Sequence, residues 1–463
     1  MNDSENKIPG GIFKAYDIRG IVDKTITPDT VEKIGHAIGS EARARQLKSI
    51  AVGRDGRLSG LSLSGALAKG IMKSGVNVLD VGMVATPMLY YAAYERCDYS
   101  GVMVTGSHNP PEYNGFKIVL GGETLAAESI QALRQRIEND DLITDAAGQR
   151  TELDFSNNYL ERIVSDVRLG RPMKIVVDCG NGVAGAFAPA LYRKLGCEVI
   201  ELFSTVDGTF PNHHPDPSVP ENLRDVIQTL AATDAEIGLA FDGDGDRLGI
   251  VTKNGVIVYP DRLLMLFAAD VLSRNPGGKI IFDVKCTRNL APWIKQHNGV
   301  PVMWKTGHSL IKAKLKETQA LLAGEMSGHF FIKERWYGFD DALYAGARLL
   351  ELLSHADDIN ILLGSLPDSI NTPELQIKVA EGENHALVAA LQKNADFSRA
   401  QQIIMIDGLR VEYADGFGLA RASNTTPVVV LRFEADNAAA LARIQQDFRD
   451  NIQRVKPDAV LPF

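Results

Sequence analysis

The strongest constraint on this chain is a pattern that occurs three times. Three segments begin alike: "SIAVGRDGR" from residue 49, "KIVVDCGNG" from 174 and "KIIFDVKCT" from 279. Each is a β-branched run that ends in small and polar residues, the signature of a strand running into a turn. Each is followed by a helical stretch and then by a second strand opening on glycine, "GVNVLDVG" from 75, "GCEVIELF" from 196 and "GVPVMWKTG" from 299. A third strand closes each unit: "GVMVTGSHNP" from 101, "IGLAFDGDGDR" from 237 and "ALLAGEMSGH" from 320. Strands alternating with helical stretches predict parallel βαβ units. Ligands collect beyond the carboxyl ends of parallel strands. If the three units pack around a common cleft, the loops SHNP, DGDGD and GEMSGH are therefore expected to face one substrate.

Two regions fall outside the repeat. "VDGTFPNHHPDPSVPEN", residues 206–222, reads as a surface loop, because proline dominates it and adjacent histidines point apart. From about residue 368 the character changes to a meander of strands with a closing helix from Asn437, a separate α+β domain. A chain of 463 residues, 45% hydrophobic, exceeds what one core can organise and implies three or four domains. A net charge of -9 argues against nucleic-acid or anionic-membrane surfaces, so cations that meet an anionic ligand must be concentrated in a site. Cys97, Cys179, Cys197 and Cys286 lie far apart with no CxxC pairing and read as buried small hydrophobes in a reducing compartment. The start "MNDSENKIPGG" is acidic where a signal peptide is basic, and the apolar run "LLMLFAADVL" stops at Asp270, short of a membrane span. A cytoplasmic protein is expected.

The loops carry the chemistry. In "DGDGDR", Asp242, Asp244 and Asp246 alternate with glycines that let three carboxylates converge on one hard cation, an all-oxygen set suited to Mg2+. An EF-hand is excluded, since Arg247 and Lys253 occupy its required glycine and glutamate positions. Arg247 places a guanidinium beside whatever the metal holds, a phosphate arrangement. Ser107 in "TGSHNP" suits a phosphoryl carrier better than an acyl nucleophile, because it is expected to face that metal and because no GxSxG elbow is present. "GEMSGH" offers Glu325, Ser327 and His329 to sugar hydroxyls, with a plain turn as the alternative. "RASNTTP", residues 421–427, offers several donors and no acid to one anion, with a polar loop between strands as the alternative. A rival reading comes from "GNGVAG": Gly180, Gly182 and Gly185 follow a strand and Glu201 follows them, as in an NAD-dependent oxidoreductase. It leaves the other loops unexplained.

Together "FKAYDIRG", "VGRDGRLSG", "VTGSHNPPEYNGFKI", "FDGDGDR", "WKTGHSLIK", "GEMSGH" and "RASNTTP" resemble, in order and over essentially the whole chain, the α-D-phosphohexomutases, closest to their bacterial phosphomannomutase/phosphoglucomutase branch of alginate and lipopolysaccharide precursor synthesis. The resemblance implies three related α/β domains with mixed, largely parallel sheets plus a C-terminal α+β TATA-binding-protein-like domain around a central cleft. The domains would be residues 1–152, 153–254, 255–367 and 368–463. It implies that Ser107 is phosphorylated and that Asp242, Asp244, Asp246 and an oxygen on Ser107 bind one Mg2+. Tyr16, Arg19, Arg247, Lys285, His308, Glu325, Ser327, His329, Arg421, Ser423, Asn424 and Thr425 would contact substrate, with Arg421, Ser423, Asn424 and Thr425 holding the phosphate not being transferred. Catalytic roles fall to Ser107, His108, Lys117, His329 and Arg19, with proton transfer assigned to Lys117 or His329. A lysine beside two phosphates is a poor base, because its charged form is favoured.

The implied reaction interconverts hexose 1-phosphate and hexose 6-phosphate through a hexose 1,6-bisphosphate that turns end for end. Glucose and mannose would both serve if Glu325 and Ser327 read the 3- and 4-hydroxyls. A phosphoglucosamine mutase is the nearest alternative. The partners expected are small sugar phosphates alone, with no nucleic acid and no membrane, and the chain is expected to be a monomer.

Overall fold

A computed structural model describes residues 8–424 and 426–463. Thr425, one of the residues assigned to substrate contact, lies outside the described residues. The chain divides into two compact units, Met1–Pro260 with Ser327–Ser365, and Asp261–Met326 with Leu366–Phe463.

The first unit holds two sheets of one design. In the first, Ser49–Arg54 lies between Asn77–Met83 and Gly101–Val104, parallel to both. Gly101–Val104 then pairs antiparallel with Tyr113–Leu120, which pairs with Ile18–Ile21. In the second, Lys174–Asp178 lies between Glu198–Leu202 and Ile237–Phe241, again parallel to both, and Leu248–Thr252 runs antiparallel beside Ile237–Phe241. In the second unit Lys279–Asp283 lies parallel between Val300–Trp304 and Leu322–Gly324. The order second, first, third recurs all three times, so the repeat read in the sequence is a repeat of sheet topology. Gly101–Val104 and Ile237–Phe241 are buried throughout. Strands covered on both faces need unbroken apolar runs, and these have them.

From Leu366 onward the second unit contains an antiparallel meander, Gln402–Ile404, Leu409–Tyr413, Gly416–Ala422 and Val428–Ala435. Alternation at period 2 splits its faces. Val411, Leu431 and Phe433 pack with Leu387, Leu391, Ile444 and Phe448 of two covering helices. Arg410, Arg432 and Glu434 are buried on the opposite face, where Arg410 donates to the Val284 and Cys286 carbonyls at 2.6 Å each. The closing helix Ala438–Val455 starts where expected, with the Asn437 side chain accepting from Ala440 N at 2.9 Å.

All four cysteines are free and buried, as expected. Among the described residues no helix is long and apolar enough to cross a membrane. The 206–222 segment is a surface loop, as expected: Thr209, Asn212, Ser218, Val219 and Glu221 are exposed, while Gly208, Pro215, Asp216 and Pro217 are buried and anchor it. Its adjacent histidines take different partners: His213 Nε2 lies 3.0 Å from Asp178 Oδ2, and His214 Nε2 meets the His108 carbonyl.

Candidate active site

The serine loop leaves Gly101–Val104 and folds back at once. Ser107 is 2% exposed and adopts φ 50°, a left-handed conformation rare for serine. Its amide donates to Thr105 Oγ1 at 2.7 Å, and that hydroxyl donates to Asp55 Oδ2 at 2.7 Å. The fold directs Ser107 Oγ toward Asp242 Oδ2, 3.2 Å away, and toward His108 Nδ1 at 3.1 Å. The DGDGD loop comes so close that a Cβ on Gly243 would lie 2.4 Å from the Ser107 carbonyl oxygen. Only glycine permits that approach.

Asp242, Asp244 and Asp246 are fully buried, each with a carboxylate oxygen within 4.8 Å of the others'. Asp242 Oδ1 closes the loop on itself, accepting from the amides of Gly245, Asp246 and Arg247 at 3.0, 3.1 and 3.1 Å. Thr86 Oγ1 donates to Asp244 Oδ2 at 2.6 Å. Lys117 Nζ, reaching in from Tyr113–Leu120, donates to Asp244 Oδ2 at 2.7 Å and also to Asp246 Oδ2. Asp244 Oδ1 is buried without a hydrogen-bond partner. Three carboxylates, one with an oxygen left unsatisfied, and no sulfur or neutral nitrogen in the triad suit a hard divalent cation, so the residues present fit a metal.

The charges interlock. Burial, then the charges of Asp246 and Asp244, push the Asp242 carboxyl well above the usual range. Burial pulls Asp246 the same way, but Lys117 and His329 override it and hold it well below. Burial opposes the charge on Lys117, yet Asp244 and Asp246 raise its pKa well above the ordinary lysine value. Burial, with Arg247, Arg19 and Lys117 adding to it, keeps the His108 imidazole well below its usual range and therefore neutral. His329 Nε2 lies 3.2 Å from Asp246 Oδ1 and 3.3 Å from Arg247 Nε, and its Nδ1 lies 3.1 Å from Ser327 Oγ. Asp246 and His329 also cluster with the buried Asp340. Arg19, on Ile18–Ile21, is paired with Asp17, and Tyr16 just before it is half-buried.

The second unit builds its own polar centre. Glu325 is 1% exposed and accepts from the Gly307 amide at 2.6 Å, beside the start of the helix His308–Thr318. Lys285 Nζ donates to Glu374 Oε1 at 2.6 Å. Burial opposes the Lys285 charge, but Glu374 and Asp283 raise its pKa. Arg421 Nε donates to Asp407 Oδ2 at 2.6 Å, and the same oxygen accepts from Thr306 N at 2.9 Å. Ser423 Oγ lies 3.0 Å from Thr426 Oγ1, and Ser423 and Asn424 are half-buried.

The structure thus brings Ser107, His108, Lys117, the three aspartates, Arg247, Ser327 and His329 together in the first unit. Lys285, His308, Glu325, Arg421, Ser423 and Asn424 belong to the second. Sequence reasoning missed Asp55, Arg57, Thr86, Asp340, Glu374 and Asp407. Asp55 and Arg57 carried a signal, charges in the turn "RDGR" after an apolar strand, and Asp340 stands in the acidic pair Asp340–Asp341; Thr86, Glu374 and Asp407 have nothing local to mark them. The dinucleotide reading of "GNGVAG" fails locally. A dinucleotide fingerprint opens a helix directly on its glycines; here they lead into the short 3-10 turn Val183–Ala186, the helix Ala188–Lys194 starts only after it, and Asn181 Nδ2 ties the loop to Thr205 O at 2.8 Å.

The chain matches four domain families in order, described as phosphoglucomutase/phosphomannomutase alpha/beta/alpha domains I, II and III and the C-terminal domain, at residues 10–144, 157–255, 259–369 and 374–451. It is 61% identical over 454 residues to a phosphoglucomutase of Neisseria meningitidis, 98% of each chain being covered. It is 58% identical over 457 residues to a phosphomannomutase/phosphoglucomutase of Pseudomonas putida, again covering 98% of each. A crystal structure of a phosphoglucomutase/phosphomannomutase family protein from Burkholderia thailandensis superposes with a TM-score of 0.94 at 59% identity, covering 99% of this chain and 100% of that one.

Proposed function

The chain belongs to the phosphoglucomutase/phosphomannomutase family, and from that premise we propose that it shuttles a phosphoryl group through Ser107. It is a mutase of hexose phosphates, interconverting the 1- and 6-phosphates of glucose and mannose. The observation that carries the serine assignment is the position of Ser107 Oγ, 3.2 Å from Asp242 Oδ2 at the edge of three buried carboxylates. A serine hydroxyl is too weak an acid to be held there as an alkoxide by acids alone, but it is well placed to carry a phosphoryl group whose charge a cation shares.

Asp242, Asp244, Asp246 and an oxygen on phosphorylated Ser107 would hold one Mg2+. Bound there, it neutralises charge on the transferring group. In the forward half-reaction a sugar hydroxyl attacks the phosphorus, the bond from phosphorus to Ser107 Oγ breaks, and a hexose 1,6-bisphosphate is left. The hydroxyl proton passes to His329 and from there to the departing Ser107 Oγ, which is left as a neutral hydroxyl. Lys117, raised by its two carboxylates, stays charged and stabilises the phosphoryl oxygens. Arg247 holds the same oxygens, and neutral His108 supports Ser107. In the second half-reaction the other phosphate of the bisphosphate faces Ser107: the Ser107 proton goes to the departing sugar oxygen through His329, and the serine is rephosphorylated.

Tyr16, Arg19, Lys285, His308, Glu325 and Ser327 read the sugar and its phosphates, and Arg421, Ser423, Asn424 and Thr425 hold the phosphate that is not moving. The same reading makes the protein a monomeric cytoplasmic enzyme that needs no nucleic acid or membrane, and gives its four domains the limits 1–152, 153–254, 255–367 and 368–463. Intact-mass analysis after exposure to glucose 1,6-bisphosphate tests the carrier. Wild type gains one phosphoryl mass and loses it to glucose 1-phosphate, and Ser107→Ala does neither. A wild type that never gains this mass under turnover conditions rules the carrier out.

A further inference from the structure

Four backbone carbonyls of the serine loop converge on one guanidinium. Arg57 lies just beyond the strand Ser49–Arg54, and its side chain is 1% exposed. Its Nη1 donates to the carbonyls of Pro110 at 2.6 Å and Tyr113 at 2.9 Å, and its Nη2 to those of Ser107 at 2.9 Å and Asn109 at 2.6 Å. Its Nε faces Asp55 Oδ2 at 3.4 Å, and the Phe210 ring centre is 5.2 Å from Cζ. Asp55 in turn accepts from Arg57 N at 3.0 Å, Thr105 Oγ1 at 2.7 Å and Gly106 N at 3.3 Å. One ion pair therefore grips the loop before, at and after Ser107, the residue held at φ 50°.

We infer that Arg57, locked by Asp55, is the positioning residue of the serine loop, setting the direction in which Ser107 Oγ is presented to the carboxylate cluster. The inference rests on Ser107 being the phosphoryl carrier. The planar fork is the part that matters. Five donors in a fixed plane reach four carbonyls and a carboxylate together, whereas a lysine carries the same charge on a flexible stem with three donors. Arg57 touches neither the carboxylate triad nor, in the proposed reaction, the transferring group. Its effect is on alignment, and a displacement of about 1 Å at a reacting atom lowers a rate by about 10²-fold.

The test uses the full chain carrying Arg57→Lys, Gly106→Ala or Asp55→Asn. Gly106→Ala leaves the arginine in place but puts a methyl 2.4 Å from its guanidinium carbon. Three quantities are measured: the melting temperature, the rate of phosphoryl loading from glucose 1,6-bisphosphate by quenched flow and intact mass, and the affinity for glucose 1-phosphate by calorimetry in a Ser107→Ala background. Arg57→Lys is expected to load about 10²-fold more slowly, with glucose 1-phosphate affinity within about twofold of the parent. Gly106→Ala should follow it, and Asp55→Asn should fall between. A loading rate within about threefold of wild type in Arg57→Lys and Gly106→Ala overturns the inference. So does an affinity that falls in step with the rate, which is what a general loss of structure produces. If Arg57→Lys does not fold, Gly106→Ala and Asp55→Asn decide the matter by the same criteria. A wild type that takes no phosphoryl group defeats the reading of function itself, whereas a wild type and variants that load equally well defeat this inference alone.

Discussion

The polar centre of the first unit and that of the second use much the same chemistry, but they are bound into the protein differently. In the first, every carboxylate of the DGDGD loop is fully buried and crossed by contacts from distant segments: Thr86 and Lys117 on Asp244, Lys117 and His329 on Asp246, Ser107 on Asp242. In the second, Ser423 and Asn424 are half-buried and Thr426 is exposed, and the Ser423 and Thr426 hydroxyls lie 3.0 Å apart. A buried, cross-braced cluster costs a great deal to desolvate, and it is useful where a reaction needs charges fixed before the substrate arrives. A half-solvated loop of donors serves a different need. It can bind an anion at either end of a two-ended substrate without setting the geometry of bond making. Under the proposed reaction, the difference assigns alignment to the first centre and capture to the second.

The largest effects should come from the first centre. Ser107→Ala removes the proposed carrier, and kcat should fall by at least about 10⁴-fold while glucose 1-phosphate still binds, as calorimetry would show. A variant retaining a tenth of wild-type turnover would mean that Ser107 does not carry the group. Asp244→Asn keeps the shape but removes one charge from the proposed metal-binding set. Turnover should drop by about 10²- to 10³-fold, and the Mg2+ concentration for half-maximal activity should rise. An unchanged Mg2+ requirement would take Asp244 out of the metal site.

The second centre should respond in another parameter. Arg421→Ala removes a charged donor, a loss of about 1.5–3 kcal/mol in binding, equivalent to a rise of about 10- to 100-fold in KM. If capture is separate from alignment, kcat changes by much less than KM. Steady-state kinetics with glucose 1-phosphate decide it: a fall in kcat as deep as that of Asp244→Asn, at constant KM, would erase the distinction between the two centres.

What could be read from the sequence follows the same division between local and distant. The threefold repeat was legible because β-branched runs and glycine-opened strands are written in consecutive residues. The DGDGD and TGSHNP loops were legible because each packs its reactive groups into a few positions. Thr86 was not, since its partner Asp244 is 158 residues away and a threonine before a proline reads as an ordinary helix start. Nor was Arg57, whose four acceptors are main-chain carbonyls that no side-chain pattern reveals. The 206–222 loop was legible as a loop, but its anchors were not: His213 finds its partner in Asp178, at the end of a strand 35 residues earlier.

The smallest expected effect lies at the exposed edge of the second centre, where Glu374 pairs with Lys285. Burial raises the Glu374 pKa, but Lys285 outweighs it and the net shift is downward. A carboxyl whose folded pKa lies below its unfolded one binds fewer protons in the folded state, so stability rises with pH through that window. The contribution is complete above the unfolded value near about 4.3 and is lost as pH falls through the folded value below it. The Glu374 side chain is 35% exposed and Lys285, although buried, also faces Asp283, so screening by solvent and the second carboxylate keep the contribution of this pair to about 1 kcal/mol. Glu374→Gln should therefore melt slightly below wild type at pH 7, and the gap should close as the pH is taken below about 4. If the two proteins differ by the same amount at pH 7 and at pH 3, the stability lost by the variant comes from packing and not from the ion pair. A gap at pH 7 well beyond the surface-pair range would mean that this edge is bound into the fold as tightly as the carboxylates of the first centre.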